Sequence, residues 1–377
     1  MIIDTEPKKI KPMIYSLRTD ISKQEFTACL QRYNLSEQTH QVLARKSFAN
    51  TPSGFKACMR WVARHTDDPA PLRVTMEATG VYYEALALYI HEHHRQVHLA
   101  VVLPSTSKKY IKSRGLRSKT DKIDAYGLAL MGAERKLSAW GGIDPFWRRL
   151  RAMTRTRTEL MDERTALRNR LHALRHSGVE AKKAIQALEY CIQALTQQID
   201  ALYRRICKAL RAREKVAEMV DYLRTIPGVG LLTIAVVLAE TAGFERFQSI
   251  SQLISYSGYD VKIRESGTWV GQPKISKQGS KYIRRAMYMP ASTAIRSGAG
   301  PLWEFYQRLR AKHDNQVNMK AHVAVQKKLL RYMYVLWNKQ QAFDPQHIRR
   351  LQAHHNNVAP SRTHSEEATV DPSQAAA

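Results

Sequence analysis

Acidic residues are the first shortage: 33 Asp and Glu stand against 60 Lys and Arg in 377 residues, for a formal charge of +27 and a pI near 10.0. That imbalance points to a polyanion as partner, DNA or RNA first. Cysteine is scarce as well, and Cys29, Cys58, Cys191 and Cys207 show no close metal-ligand spacing. Zinc and a disulfide scaffold are therefore not expected, and a reducing cytoplasmic interior is. No apolar run reaches the ~18 residues that a membrane span needs; the longest stretch, Leu231 to Ala239, is far too short. The opening Met1-Ile2-Ile3-Asp4 lacks a basic region followed by an apolar core, so no secretory leader is expected. There is also no G-x-x-x-x-G-K-[ST] loop to hold a nucleoside triphosphate.

What is present is 44% apolar residues, enough for real cores, in a length that suits two or three domains. After a polar segment at 1–12, strands are predicted at Met13 to Leu17, Glu25 to Leu30 and Val42 to Ala49. An amphipathic helix follows with Phe55, Met59, Trp61 and Val62. Past the linker Asp67-Asp68-Pro69-Ala70-Pro71, Leu72 to Glu77 is a strand. Gly80 turns into a helix with Tyr83, Leu86, Leu88 and Ile90, and Val97 to Leu103 is a fifth strand ended by Pro104. A basic segment (Lys108, Lys109, Lys112, Arg114, Arg117, Lys119) then leads to Asp121. Strands interleaved with helices in this order make a mixed sheet with helices against it, over 13–140.

Ser118 to Ala125 concentrates the chemistry. Asp121 and Asp124 stand three apart where an apolar helical pattern begins (Ile123, Leu128, Leu130, Met131), so both carboxylates share one helical face. Two readings fit. One is a capped, solvated helix N-terminus, with Thr120 as cap and Asp121 favoured by the dipole. The other is a divalent-ion site with oxygen ligands, which would relieve the repulsion between the two charges. Asp20 ends the first strand and Glu77 the fourth, so four carboxylates can meet at one sheet edge and hold two Mg2+ or Mn2+ ions.

Three blocks, Thr19-Asp20-Ile21-Ser22-Lys23, Met76-Glu77-Ala78-Thr79-Gly80 and Lys119-Thr120-Asp121-Lys122-Ile123-Asp124-Ala125, resemble the Asp, Glu and Asp-x-x-Asp blocks of the DEDD-type insertion-sequence transposases, the group that includes the Piv DNA invertases. The first block departs from the family at Arg18 and Thr19, where small or apolar residues are usual. The resemblance implies a ribonuclease-H-like N-terminal domain akin to the RuvC junction resolvases.

From Asp144 to about Asp221 the sequence turns Gly-poor and Arg-rich, broken near His176-Ser177-Gly178. Leu150, Met153, Leu160, Leu167, Leu171 and Leu174, then Leu188, Ile192, Leu195, Ile199, Leu202 and Ile206, recur near heptad spacing, which predicts an antiparallel hairpin of two long helices and a possible dimer interface. Its arginines, Arg155 among them, either meet a phosphate backbone or form a solvated face. In the family this is a coiled-coil linker used in assembly. A mainly helical region over 222–344 opens with Ile226-Pro227-Gly228-Val229-Gly230, where Gly228 and Gly230 let backbone N–H groups approach a phosphate; a plain turn between core helices is the alternative.

Glu265-Ser266-Gly267, followed by Ile275-Ser276-Lys277-Gln278-Gly279 and a helix with Arg284 and Arg285, is similar to the family's C-terminal domain. On that resemblance Ser266 matches the nucleophilic serine, with Ser276 and Ser280 as rivals, and Lys119, Lys277, Arg284 and Arg285 are expected to hold nucleic acid. Tyr259-Asp260-Val261 departs from the family's usual Gly-Leu-x-Pro. Met319 to Leu330 resembles its closing helix, and residues 345–377, rich in Gln, His, Ser and Ala, are predicted to be disordered. The function so implied is a transposase or site-specific recombinase acting as a dimer or tetramer in the cytoplasm, on the nucleoid, and guided by a structured RNA. Two competing readings are a hydrolytic metal-dependent nuclease such as a junction resolvase, and a non-catalytic nucleic-acid-binding assembly protein.

Overall fold

A computed structural model of the chain describes residues 13–66, 72–78, 80–115, 121–178, 180–263, 265–266, 269–312, 316 and 318–346, with backbone alone at 121–126, 129 and 270. The segments expected to be flexible at 1–12, the linker at 67–71, Lys119, and all but the start of the expected tail lie outside the described residues. The chain divides into two compact units, 1–142 and 143–377.

In the first unit, β1 (Met13–Ile21), β2 (Glu25–Asn34) and β3 (Thr39–Ala49) form an antiparallel meander. α1 (Pro52–Ala63) follows, then β4 (Leu72–Glu77), α2 (Tyr83–His93), β5 (His98–Val102), α3 (Pro104–Ser113) and α4 (Asp121–Glu134). The sheet order is β3-β2-β1-β4-β5, with β4 parallel to both β1 and β5. This is the mixed sheet that the sequence predicts, of the ribonuclease-H-like kind that the family resemblance implies. Six successive residues of β1, Ile14 to Arg18 and Thr19, are buried, as befits a central strand covered on both faces. Leu17, Phe26, Val74 and Met76 pack with Phe55 and Met59 of α1 and Leu86 and Ile90 of α2. Alternation sends Ser16 and Thr75 the other way, toward α4. Gly132 of α4 comes so close there that an added Cβ would lie 2.0 Å from Thr75 Oγ1.

One expectation needs correction in this unit. The basic segment after β5 is not merely a connection: Pro104 opens α3, in which Ser107, Tyr110 and Ile111 are buried while Lys108, Lys109 and Lys112 face solvent. Proline ends a strand and suits the first turn of a helix equally well, so Pro104 does both.

The second unit starts with α5 (Pro145–His176), capped by Asp144, whose Oδ1 accepts from the Phe146 N–H at 2.7 Å. α6 (Lys182–Arg211) packs back along it as the expected hairpin. The second long helix stops ten residues short of the predicted Asp221 limit. A separate α7 (Glu214–Arg224) follows, and its Val216, Val220 and Leu223 join the C-terminal core. No Gly or Pro marks the break at Ala212-Arg213; Arg213 is instead drawn to Asp144, Nη1 to Oδ2 at 2.5 Å. After α7 come α8 (Leu231–Thr241) and α9 (Ile250–Tyr256). Two short ribbons follow, in which β6 (Val261–Lys262) pairs with β9 (Lys274–Ile275) and β7 (Glu265–Ser266) with β8 (Trp269–Val270). α10 (Lys281–Arg296), α11 (Pro301–Ala311) and α12 (Asn318–Lys339) complete the unit. One core joins Trp147 and Leu150 at the base of α5, Ile206 and Leu210 of α6, Ile234 and Leu238 of α8, Met287 of α10, and Leu329 and Met333 of α12.

Candidate active site

Parallel pairing of β1 with β4 ends at Thr19 opposite Met76. One step on, Asp20 and Glu77 occupy neighbouring positions at the carboxyl ends of the two central strands. By the two-residue period, Ser16, Arg18 and Asp20 share a face with Thr75 and Glu77, the face that α4 covers. Asp20 is exposed, with Arg18 Nη2 at 3.9 Å from its Oδ2, and Glu77 is half-buried, its Oε2 accepting from Ser107 Oγ at 2.6 Å.

Three contacts set the direction of α4. Arg73, near the start of β4, donates to Ala133 O at 2.9 Å, Gly132 lies against Thr75 and Ser16, and beyond the helix Leu137 O bonds His98 Nε2 at 3.0 Å at the start of β5. The end of α4 thus sits at the amino ends of the strands, and its beginning points to their carboxyl ends. Asp124 is eight residues before Gly132, about 12 Å along a helix, and Asp20 is four residues past Ser16, about 13 Å along a strand. All four acidic positions are therefore carried to one edge of the sheet. The Asp121 and Asp124 side chains are outside the described residues, and among the described residues no group of three His, Cys, Asp or Glu is close enough to hold an ion. The donor chemistry at this edge does fit: carboxylate oxygens on adjacent strands suit a hard cation such as Mg2+ or Mn2+. Ser107 is the residue that sequence reasoning missed here, since only the fold of α3 brings it to Glu77.

Ser266 is exposed, with Trp269 its register partner. Its two rivals are both engaged. Ser276 Oγ is 2.5 Å from Asp260 Oδ1, while Ser280 caps α10 by accepting from the Ile283 N–H at 3.3 Å and donates to Glu240 Oε2 at 3.0 Å. The unusual Tyr259 is 1% exposed and donates to Gln326 Oε1 at 2.7 Å; burial pushes its phenol above the ordinary range. Tyr259 and Asp260 thus anchor the start of the ribbon segment from within the domain.

Gly228, at φ 81°, and Gly230 are exposed ahead of α8, which has no side-chain cap at its N-terminus. Arg211 and Arg224 line the cleft that reaches Leu231. Lys277 is exposed at φ 54°. Arg284 donates through Nη1 to Ser257 O at 2.9 Å, and Arg285 makes a two-pronged pair with Asp162, both arms 2.5 Å. Arg155 is likewise paired, with Glu240, at 2.6 and 2.9 Å.

Comparison with known proteins joins the two halves. Residues 19–175 match the DEDD transposase model of the IS110 group, described as "Transposase", and residues 220–307 match the model described as "Transposase IS116/IS110/IS902 family". The chain belongs to the IS110 family of transposases. It is thus an enzyme of the transposase and recombinase class that acts on DNA. The pilin gene-inverting proteins of Moraxella bovis and Moraxella lacunata are 28% and 29% identical to this transposase over 329 residues, 86% of this chain and 96% of theirs. The transposase for insertion sequence element IS1111A of Coxiella burnetii is 23% identical over 266 residues, 64% of this chain and 72% of that one. Among solved structures, the fowlpox virus Holliday junction resolvase aligns with 32% of the chain and 98% of its own at 16% identity, with a TM-score of 0.23; the fold assignment rests on the strand order instead. Among the described residues of this transposase, no helix is long and apolar enough to cross a membrane.

Proposed function

We propose that this transposase cuts and rejoins DNA by transesterification, with Ser266 as nucleophile and with Asp20, Glu77, Asp121 and Asp124 as the ligands of Mg2+ or Mn2+. The observation that carries the serine is the engagement of its rivals: Ser276 and Ser280 are tied to Asp260 and Glu240, and Ser266 stands exposed on its ribbon. Ser266 Oγ forms a bond to phosphorus as the bond from phosphorus to one deoxyribose oxygen breaks. The serine proton passes to solvent and the departing oxygen takes one up, so no oxidant and no triphosphate is consumed. The phosphoserine ester conserves the bond for rejoining by the reverse step. A bound divalent cation supplies the charge that polarises the phosphate and lowers the cost of the developing oxyanion. Ser107 fixes one Glu77 oxygen.

The carboxylates belong to residues 1–142 and Ser266 to residues 143–377, and the proposed working form is a dimer or tetramer joined through the α5–α6 hairpin. Half-buried Leu160, Leu167, Leu188, Ile192 and Leu195 on the hairpin support its use as the joint. A charge of +27 suits DNA and, with it, a structured guide RNA that pairs with donor and target; the protein would then read backbone and shape.

The test is Ser266→Ala beside Glu77→Gln. Ser266→Ala is expected to abolish both strand cleavage and the covalent protein–DNA adduct while Mn2+ still binds in calorimetry; Glu77→Gln is expected to lose the metal. Undiminished cleavage by Ser266→Ala would establish hydrolysis by water in place of the serine route.

A further inference from the structure

Trp269 carries one of the largest apolar surfaces of any side chain, yet it is 59% exposed. It is the cross-strand partner of Ser266, so indole and hydroxyl leave the same face of β7–β8 with Cβ atoms roughly 5 Å apart. Beside it is a cleft of about 500 Å³ whose lining includes Trp269, Lys262, Lys274 and Ser276. Lys262 and Lys274 are themselves direct partners across β6–β9. Two lysines directly opposite each other on a ribbon of two residues per strand repel, and so short a ladder does not by itself relieve that cost. An anion between them would.

An aromatic face next to two paired cations has one natural occupant in a DNA enzyme. A nucleotide inside a duplex shows its neighbours no free face, because its base is stacked on both sides; an unpaired nucleotide offers both a phosphate and a π-surface. We propose that this cleft seats an unpaired nucleotide adjoining the phosphate on which Ser266 acts, with Lys262 and Lys274 holding its phosphate and Trp269 stacking on its base. The placement relative to the scissile bond rests on the serine reading above, whereas the binding itself does not. Stacking tolerates any base, so Trp269 makes the seat without fixing the sequence, and it favours strands that are already open.

The experiment is binding of the full chain to a short fluorescent single-stranded oligonucleotide, read by anisotropy. Trp269→Ala is expected to weaken binding about tenfold, and Trp269→Phe to stay within about threefold of the parent, as for loss and retention of one aromatic stack. A base-free deoxyribose-phosphate oligomer of the same length is expected to bind parent and Trp269→Ala alike, and Lys262→Ala with Lys274→Ala to weaken both oligomers. Unchanged affinity of Trp269→Ala for the base-containing strand overturns the proposal. So does an equal loss on both oligomers, or a change confined to self-association, which would make Trp269 a contact between copies of this chain. The same titrations on Ser266→Ala separate the two readings: a tryptophan effect that persists while that variant still forms adducts overturns the serine alone, and adduct loss without a tryptophan effect overturns the stack alone.

Discussion

Glu240 offers the sharpest test of how the second unit holds together. Its side chain is 0% exposed, and its oxygens are met by Arg155 Nε at 2.6 Å, Arg155 Nη2 at 2.9 Å and Ser280 Oγ at 3.0 Å. The pair raises the Arg155 guanidinium above its ordinary value, chiefly through these hydrogen bonds. Removing one partner of a buried pair costs about 3–5 kcal/mol, because the other charge stays desolvated. Arg155 retains 39% exposure and can rehydrate, so Glu240→Ala should cost near the low end, about 3 kcal/mol. Arg155→Met leaves the carboxylate with Ser280 alone and should cost more. For a unit of this size about 3 kcal/mol lowers Tm by ~6–12 °C. The assay is equilibrium urea unfolding of both single variants and of Arg155→Met with Glu240→Leu. The double variant should recover most of the loss, since an apolar pair of similar volume replaces a buried ion pair at little cost. Singles that lose less than about 1 kcal/mol, or losses that add within about 0.5 kcal/mol, would refute the reasoning. A second consequence concerns DNA: an arginine spent on Glu240 is not neutralising a phosphate, so Arg155→Met should leave the salt dependence of DNA binding unchanged, where a phosphate contact would reduce the slope by about one.

Two further outcomes follow from particular side chains. Burial against Phe305 and Tyr332, reinforced by Arg308 and Arg331, pushes Lys328 down to about 8. Its folded value then lies below the ~10.4 of an unfolded lysine, so the unfolded chain holds more protons between those limits and stability rises with pH across that window. Lys328→Met should be most favourable relative to the parent below pH 8 and lose that advantage by about pH 10, and stability curves that stay parallel from pH 7 to 10 would rule this out. Gly132→Ala should cost about 1–3 kcal/mol by pushing α4 off Thr75, and should weaken Mn2+ binding although no carboxylate is altered. Thr75→Ala should restore part of both losses, and a Gly132→Ala protein that binds Mn2+ like the parent would show that α4 does not position the acids.

Much of the first unit could be read in advance because its information is local. β4 matches the predicted Leu72 to Glu77 span, and α1 has its start written in Thr51-Pro52, with Thr51 Oγ1 accepting from the Gly54 N–H at 3.3 Å. α3 was hidden by lysines, whose spacing masks the buried Ser107, Tyr110 and Ile111. The end of α6 was hidden for another reason: the chain leaves the helix at Arg213 for a carboxylate 69 residues away. Arg155 and Arg285 were legible as charges but not as pairs, because their acids lie 85 and 123 residues distant in the chain. Composition fixes the sum of such charges and says nothing about which are spent inside the protein.

Those pairs also explain how one long helix can serve the ribbon that bears Ser266. Arg155, Glu159 and Asp162 recur at spacings of four and three, so they share one face of α5. They meet Glu240, the Tyr282 hydroxyl at 3.0 Å and Arg285, which binds the helix to α8 and to the first turns of α10. Ser280, the cap of α10, donates to that same Glu240, and its N–H bonds Tyr256 O at 2.9 Å. Three residues further back the Lys277 N–H reaches Gly258 O at 3.1 Å, and Ser276 grips Asp260 at the foot of β6. Hydrogen bonds joined by short steps of backbone therefore lead from the α5 face to the ribbons. Apolar packing alone would let a helix slide by a rotamer change at small cost, whereas two-pronged arginine–carboxylate pairs accept one register. A substitution such as Glu240→Ala should thus loosen the ribbons as well as the hairpin, and faster amide exchange at Val261 and Lys262 in that variant is the sign to look for.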